Sequence, residues 1–249
     1  VIVKLSPAGS ALVYSTFLGG TGFDTTQGIC VDATGNAFVT GRISPRDSSI
    51  PNPWKPTLGT ETGSFIAKLN PAGTVLLYFA TIAGADLADV AIDSSGNAYA
   101  TGGATMDLQP VHPLQPLFGG GERDALVAKL NPPGTALVYA TFLGGRRRDA
   151  GYAVAVDSAG NAYVAGSTES DDFPVTSQAF EKTYGGSGDF KTNNFVAKVN
   201  SNGTELAYST YLQTNVWAAE GIIDIAIDRV GQAHVAGTVS SPDFPTVDA

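Results

Sequence analysis

The sequence predicts an all-β fold made of four repeated units, and three observations support this prediction. A ten-residue stretch that starts with Asp and ends with Gly occurs four times, at Asp32, Asp93, Asp157 and Asp228. A longer stretch of the type FIAKLNPAGTVLLYFATIAG recurs with the same period, starting at Val1, Phe65, Leu126 and Phe195. No segment shows the sustained 3.6-residue periodicity and end caps that are typical of a helix.

Each unit can be read as four short strands, as the unit around Ala153 shows. AVAVD is a short apolar run, as expected for a strand buried on both faces, and SAGN is a tight turn. NAYVAG then forms a hairpin with AVAVD, and FVAKV follows as a third strand after a variable loop. The fourth strand, of the type TALVYATFL, alternates in polarity and is rich in β-branched and aromatic residues.

Four-stranded antiparallel units that repeat in this way predict a β-propeller. A sheet with two apolar faces cannot bury both by itself, whereas blades packed face to face around an axis bury both faces. We expect one propeller domain over residues 1–249, with units at about 1–63, 64–124, 125–193 and 194–249. A pair of stacked β-sandwiches is the alternative, but it does not require near-identical units.

The frame of the repeat predicts how the propeller closes. The chain begins at the third strand of a unit and ends just after the second. We therefore expect the N-terminal strands, VIVKL and ALVYSTFLGG, to pair with the last two strands, GIIDIAID and AHVAG, and to close a ring of four blades. In the other interpretation the chain is a fragment of a longer array.

The repeated motifs resemble a known family. They follow the pattern F-V-A-K-L-N-P-x-G, then L-x-Y-S-T-Y-L-G-G, then A-V-D-S-x-G-N-A-Y-V-x-G-x-T-x-S-x-D-F-P, whose last part is STESDDFP at residues 167–174. This pattern resembles the bacterial SBBP-type β-propeller repeat family, and its hairpin is similar to that of NHL-type propellers. The resemblance implies a propeller in a large bacterial surface or secreted protein, and it implies no catalytic residues. The family name implies seven blades, whereas this chain has four units.

Composition argues against several classes of function. The net charge is −9 with only 14 Lys and Arg residues, so a nucleic-acid partner is not expected. No run of about 18 apolar residues predicts a membrane span. Two isolated histidines and one cysteine, Cys30 in an apolar run, form neither a His/Cys metal site nor a catalytic triad. We therefore expect a protein that is not an enzyme.

Acidic residues recur eight positions before the turn aspartate. In three units these residues are Asp24, Asp149 and Glu220. They are expected on the innermost strand, at one mouth of the central channel, where one interpretation is a cation site such as Ca²⁺. The interpretation that we favour needs no cofactor and balances them with the repeated lysines, Lys4, Lys68, Lys129 and Lys198. The turn aspartate itself reads as an Asx-type turn rather than a calcium loop.

The variable loops after the second strands carry the other candidate site. Their aromatic residues are Trp54, Phe118, Phe180 and Tyr184. Binding residues often lie on variable loops of a rigid scaffold, so these aromatics are candidates for glycan or ligand binding. The interpretation that we favour is that these aromatics pack the loops onto the outer faces of the blades.

Together these features predict a non-enzymatic, extracellular structural or adhesive module, such as a subunit of a surface assembly or filament. Its partners would be other proteins or further copies of itself. A carbohydrate- or ligand-binding propeller is the second expectation, and an enzyme domain such as a lyase or hydrolase is the third.

Overall fold

The computed structural model describes residues 1–19, 23–43, 63–185, 191–217 and 221–238, together with 244, 246 and 247. These residues form strands, turns and loops, and no helix that could cross a membrane occurs among them. The strands are β1 (Ile2–Leu5), β2 (Leu12–Thr16), β3 (Thr25–Val31), β4 (Ala37–Ile43), β5 (Gly63–Leu69), β6 (Leu76–Ile82), β7 (Ala85–Ile92), β8 (Ala98–Ala104), β9 (Asp124–Leu130), β10 (Leu137–Leu143), β11 (Asp149–Val156), β12 (Ala162–Thr168), β13 (Lys191–Val199), β14 (Leu206–Trp217), β15 (Ile222–Ile227) and β16 (Ala233–Gly237).

Strands β3 to β14 form three four-stranded antiparallel sheets in which each strand pairs with the next along the chain. We call them blade I (β3–β6), blade II (β7–β10) and blade III (β11–β14). Two further sheets have two strands each, the N-terminal hairpin (β1–β2) and the C-terminal hairpin (β15–β16). The prediction of an all-β fold with four-stranded antiparallel sheets is thus confirmed.

The blades stack in chain order, and the core lies between their faces. The first strands β3, β7, β11 and β15 contact one another in succession, so they are the inner strands. Between blades I and II, Phe38, Ile66 and Tyr78 pack with Leu87 and Leu126 in one buried cluster. A second cluster between blades II and III has the same construction. This packing is the arrangement expected of propeller blades.

Every inner strand contains a β-bulge at the same place. The register with its partner strand breaks after Thr26, Leu87, Gly151 and Ile222. Opposite the bulge stands the last glycine of the ten-residue motif, and in blade III a Cβ on this residue, Gly166, would lie 2.0 Å from the Ala150 carbonyl oxygen. The motif therefore requires glycine here, because the two backbones approach too closely for a side chain.

The two hairpins at the ends do not pair with each other. No ladder joins β1 to β16 among the described strands, so the closed ring expected from the sequence is not confirmed. The N-terminal hairpin packs instead on blade I, where Ile2 and Leu18 share a buried cluster with Val39, Phe65 and Phe79. The described strands consist of three complete blades with half a blade at each end.

The variable loops cover the outer edges of two blades. In blade II, Val111 and Gln115 form isolated bridges with Ala140 and Phe142 of the outer strand β10. In blade III, the N–H of Thr176 donates to the Ser209 carbonyl, on the outer strand β14. Covering an edge in this way protects it from pairing with other chains.

A prediction follows for the tyrosines that recur on the fourth strand. Tyr139 is fully buried against the next blade, and its hydroxyl has no hydrogen-bond partner. We expect Tyr139→Ala to lower the free energy of unfolding by about 3–5 kcal/mol because it leaves a large cavity. Tyr139→Phe is expected to change it little or raise it, since it removes a buried, unsatisfied hydroxyl. Chemical denaturation measures both variants, and equal losses in the two would contradict the assignment.

Candidate functional site

The turn aspartate of the repeated motif holds together its own turn. In blade III, Oδ1 of Asp157 accepts hydrogen bonds from the N–H groups of Ala159 and Asn161, both at 3.0 Å. Its Oδ2 lies 2.9 Å from Nζ of Lys198 and accepts a hydrogen bond from the Tyr163 hydroxyl. Burial acts to raise the pKa of Asp157, but the bonds from Asn161 and the Lys198 ion pair outweigh it and lower this pKa. The interpretation as an Asx-type turn is confirmed by these bonds.

The same cluster recurs in the other blades. In blade II, Oδ1 of Asp93 accepts hydrogen bonds from the N–H groups of Ser95 and Asn97. Its Oδ2 lies 4.0 Å from Nζ of Lys129, and this ammonium group also lies over the Tyr99 ring. In blade I, Asp32 pairs with Lys68 at 3.6 Å. The pairing predicted for the lysines is therefore wrong for Lys68, Lys129 and Lys198. Their partners are the turn aspartates, because the third strand runs beside the second and brings each lysine to the turn.

Asp149, predicted at a channel mouth, is enclosed by loops. It begins the inner strand of blade III and is fully buried. Its Oδ2 accepts hydrogen bonds from the Gly145 N–H at 2.8 Å and the Ser170 hydroxyl at 2.9 Å. Asp172 in turn accepts a bond from the Arg146 N–H. Through its bonds to Gly145 and Ser170, Asp149 thus joins the loop between blades II and III to the loop after β12.

The acids near the position of Asp149 in the other units have different surroundings. The Asp24 carboxylate lies against Gly19 as that of Asp149 lies against Gly144. In unit two, Asp86 pairs with Arg123 at 3.2 Å. Glu220 lies outside the described residues. Because Glu220 is not described, the convergence of Asp24, Asp149 and Glu220 at one mouth of the channel stays a prediction.

The structure adds a second buried carboxylate that the sequence reasoning missed. Asp124 begins β9 and is fully buried, and its Oδ2 accepts bonds from the Gly119 N–H at 2.7 Å and the Gln115 amide at 3.2 Å. A Cβ on Gly144 would lie within 2.7 Å of both Asp124 and Asp149, so the two acids flank one glycine. Other units carry Gly63 and Asn193 at this position, so the repeat gave no sign of a charge here.

Both buried carboxylates are poorly neutralised. Oδ1 of Asp124 and Oδ1 of Asp149 have no hydrogen-bond partner, and no cationic side chain pairs with either acid in the described part of the chain. Burial raises the pKa of Asp124 to about 7, and the charge of Asp149 adds to the effect. Burial likewise raises the pKa of Asp149 to about 6, against the bonds that it accepts. A buried carboxyl with this pKa takes up a proton near neutral pH.

A third acid stands among the inner strands themselves. Asp89 follows the bulge of β7, lies against Gly28 of blade I and accepts a hydrogen bond from the Val154 N–H of blade III at 2.9 Å. Burial raises its pKa. It therefore links three successive inner strands, a role that needs the tertiary structure to be seen.

The loop aromatics serve the fold in two of the three described cases. Phe118 packs edge-on against Phe142 with ring centroids 5.8 Å apart, and Tyr184 packs against Tyr211 in the same way. Phe180 is 70% exposed. Trp54 lies outside the described residues. Ligand binding by this group stays a prediction, and its exposed described member is Phe180.

The remaining reactive side chains are engaged or suppressed. In the run of three arginines at residues 146–148, Arg146 pairs with Asp171, and Arg148 pairs with Glu122 and Glu169. Burial raises the pKa of the Cys30 thiol to about 12, helped by the charge of Asp89, and a protonated thiol is a poor nucleophile. Within the described ranges, no three His, Cys, Asp or Glu side chains are grouped so that they could hold a metal ion.

The buried carboxyls predict how stability depends on pH. The pKa of Asp124 and of Asp149 is higher in the folded than in the unfolded chain, so stability falls as pH rises from about 5 to about 7 for Asp124 and to about 6 for Asp149. Within its own window each group changes stability by up to about 1.4 kcal/mol per pH unit. Asp32 and Asp157, with lowered pKa values, are ionised in both states over this range. The free energy of unfolding should therefore fall between about pH 5 and pH 7 and change little above pH 7.

A matched pair of variants tests whether Asp124 causes this pH dependence of stability. Asp124→Asn places the residue that unit three carries at this position, Asn193, and should flatten the pH dependence and raise stability at pH 8. Asp107→Asn, at an exposed acid, serves as the control. A slope in Asp124→Asn equal to that of the unaltered chain would contradict the assignment.

Comparison with known proteins agrees with this architecture. Residues 138–174 match the model of the SBBP family, described as a beta-propeller repeat. The matched segment contains the Gly144–Asp149 loop, the Asp157 turn and the Thr168–Pro174 loop, which supply part of the networks described above. No curated protein matches the chain. The chain therefore carries a repeat of the SBBP-type β-propeller family.

Proposed function

We propose that this chain is a non-enzymatic, extracellular structural module of a bacterial surface assembly. One observation carries the proposal: the polar and aromatic residues that recur in the units are bonded into turns and into junctions between blades. The resemblance to SBBP-type repeats of bacterial surface and secreted proteins supports the location.

The junctions show how the recurring residues are used. The ring of Tyr139 in blade II lies on Gly203, in the turn between the third and fourth strands of blade III. The Tyr99 hydroxyl donates to the Gly160 carbonyl in the first turn of blade III, at 3.1 Å. Lys129 donates to the Ser201 carbonyl, at 3.4 Å. Each contact joins one blade to the next, so the motif serves assembly of the scaffold rather than chemistry on a substrate.

The N-terminal hairpin makes the same kinds of contact with blade I. Tyr14 lies on Gly73 of blade I, and Lys4 donates to the Pro71 carbonyl at 3.1 Å. The hairpin is therefore the outer half of a blade that precedes blade I. The closed four-bladed ring expected from the sequence would bring this hairpin to β16 of the same chain.

A glycan- or ligand-binding role is the second candidate, and the exposure of Phe180 favours it. An exposed aromatic ring on a loop offers a flat apolar face for stacking. Two of the other candidate rings, Phe118 and Tyr184, are used for packing, so the site would depend on Phe180.

Two measurements test these roles. Antibodies against the folded chain should label intact cells that produce it, whereas labelling only after permeabilisation would contradict the extracellular role. On a glycan array, the structural role predicts no selective binding. Selective binding that is lost in Phe180→Ala but kept in Leu117→Ala, at an equally exposed loop residue, would favour the ligand-binding candidate instead.

A further inference from the structure

Two acids of different blades, Asp124 and Asp149, place their carboxyl groups side by side where blades II and III meet. Asp124 begins β9 and Asp149 begins β11, and both residues are fully buried. Oδ1 of Asp124 and Oδ2 of Asp149 each lie within 2.7 Å of the point that a Cβ on Gly144 would occupy. An oxygen of each carboxyl group therefore faces the same point, because Gly144 has no side chain there.

Each of the two carboxyl groups is anchored through one oxygen only. Oδ2 of Asp124 accepts hydrogen bonds from the Gly119 N–H and the Gln115 amide, and Oδ2 of Asp149 accepts one from the Gly145 N–H. Oδ1 of both acids is buried without a hydrogen-bond partner. Carboxylates that ligate a metal ion are commonly held in this way, because hydrogen bonds from a second layer of groups orient them toward the ion. The free oxygens thus have the arrangement of ligands.

The junction between blades I and II is built without these acids. Gly63 begins β5 and Ala85 begins β7 at the positions of Asp124 and Asp149. Blades I and II nevertheless pack through a continuous buried cluster. The stacking of blades therefore does not require the two carboxyl groups, and burying them is costly when they are charged. This cost indicates a role for the pair beyond packing.

Neutral oxygens lie around the two carboxyl groups. The carbonyl oxygens of Gly144 and Gly145 lie against the face of Gly119, whose N–H donates to Asp124. Oε1 of Gln115 accepts a hydrogen bond from the Gly144 N–H, which brings the amide oxygen to the same loop. Among the described residues, no cationic side chain pairs with either acid. Carboxylate, carbonyl and amide oxygens are the donors that hard cations such as Ca²⁺ prefer.

We propose that a calcium ion binds between Asp124 and Asp149 and links blade II to blade III. The two carboxylates are its charged ligands, and they neutralise its charge. Neutral oxygens of the two loops and water complete its shell of about 6–8 oxygens. Calcium suits this site better than magnesium does, because Mg²⁺ demands a near-ideal octahedron, whereas Ca²⁺ accepts the irregular geometry of loop carbonyls.

This calcium site differs from the channel mouth that the sequence predicted, with which it shares only Asp149. It also goes beyond the structural role proposed above and does not depend on the location of the protein. Because the site has two carboxylates rather than three or more, we expect a Kd of about 10⁻⁴ to 10⁻³ M, in the range of extracellular calcium modules.

Unfolding of the chelator-treated chain at pH 8 tests the binding of calcium. At this pH both acids are ionised in the folded chain, since their pKa values are about 7 and about 6. CaCl₂ at about 10 mM should lower the equilibrium constant for unfolding about 10- to 100-fold, as the expected Kd requires. MgCl₂ at the same concentration controls for ionic strength and should have a much smaller effect. No response to calcium, or an equal response to magnesium, would overturn the proposal.

Three variants place the calcium site. Asp124→Asn keeps the shape of the side chain, and Asn193 fills the same position in blade III, so this variant is expected to fold. Asp124→Asn and Asp149→Asn should each lose most of the response to calcium, whereas Asp107→Asn, at an exposed acid, should keep it. Calorimetric titration should show one calcium ion per chain in Asp107→Asn and none in Asp124→Asn. Equal responses in these two variants refute the assignment.

Repeating the calcium experiment at pH 5 separates a calcium site from a pair of acids that merely share a proton. Protons and calcium compete for the same oxygens, so calcium should have little effect at pH 5. Asp172, a further acid near Asp149, already accepts a hydrogen bond from the Arg146 N–H. A response at pH 5 as large as that at pH 8 contradicts the site. The antibody labelling of intact cells decides the extracellular role independently.

Discussion

Each blade of this protein has two apolar faces, and the burial of both faces is the constraint on which the rest of the structure depends. A four-stranded sheet of short strands buries one face on each neighbour, and removing apolar surface from water contributes roughly 25 cal/mol per Å². The clusters on either side of blade II contain large side chains from both partners, such as Tyr78 with Leu87 and Tyr139 with Val154. A blade without a neighbour exposes that surface, as Val1, Val3 and Leu5 do.

Polar networks set the position of the blades that this burial holds together. At one end of each blade, the turn aspartate, the third-strand lysine and the aromatic residue of the second strand form one cluster, shown by Asp157, Lys198 and Tyr163. The cluster is partly buried, so the ion pair is screened less than a surface pair and its geometry is fixed by several hydrogen bonds. The Tyr163 hydroxyl, which has a single proton, also lies 3.1 Å from the Gly231 carbonyl oxygen, so it contacts both this cluster and the next hairpin.

At the other end, between blades II and III, the network is centred on two buried carboxyls that no cationic side chain of the described residues pairs with. Asp124 and Asp149 each satisfy one oxygen with loop N–H groups and side chains and leave the other without a partner. Burying such a group is costly when it is charged, and its raised pKa expresses that cost. The two ends of a blade thus differ in chemistry: one is an ion-pair cluster that is charged at neutral pH, and the other is a carboxyl pair that is close to its titration point.

The sequence by itself determined the strands, their grouping in fours and the role of the turn aspartate, because turn residues, strand periodicity and the repeat are all local signals. It also predicted packing roles for aromatics such as Phe118, since a repeated scaffold gives each loop a blade to cover. The tertiary structure alone decided the partner of each lysine, the proximity of Asp124 to Asp149 and the separation of β1 from β16. These depend on which strands and loops lie side by side in space rather than in sequence. Asp124 and Gly144, for example, are 20 positions apart in a repeat whose other copies carry Gly63 and Asn193 in place of the acid.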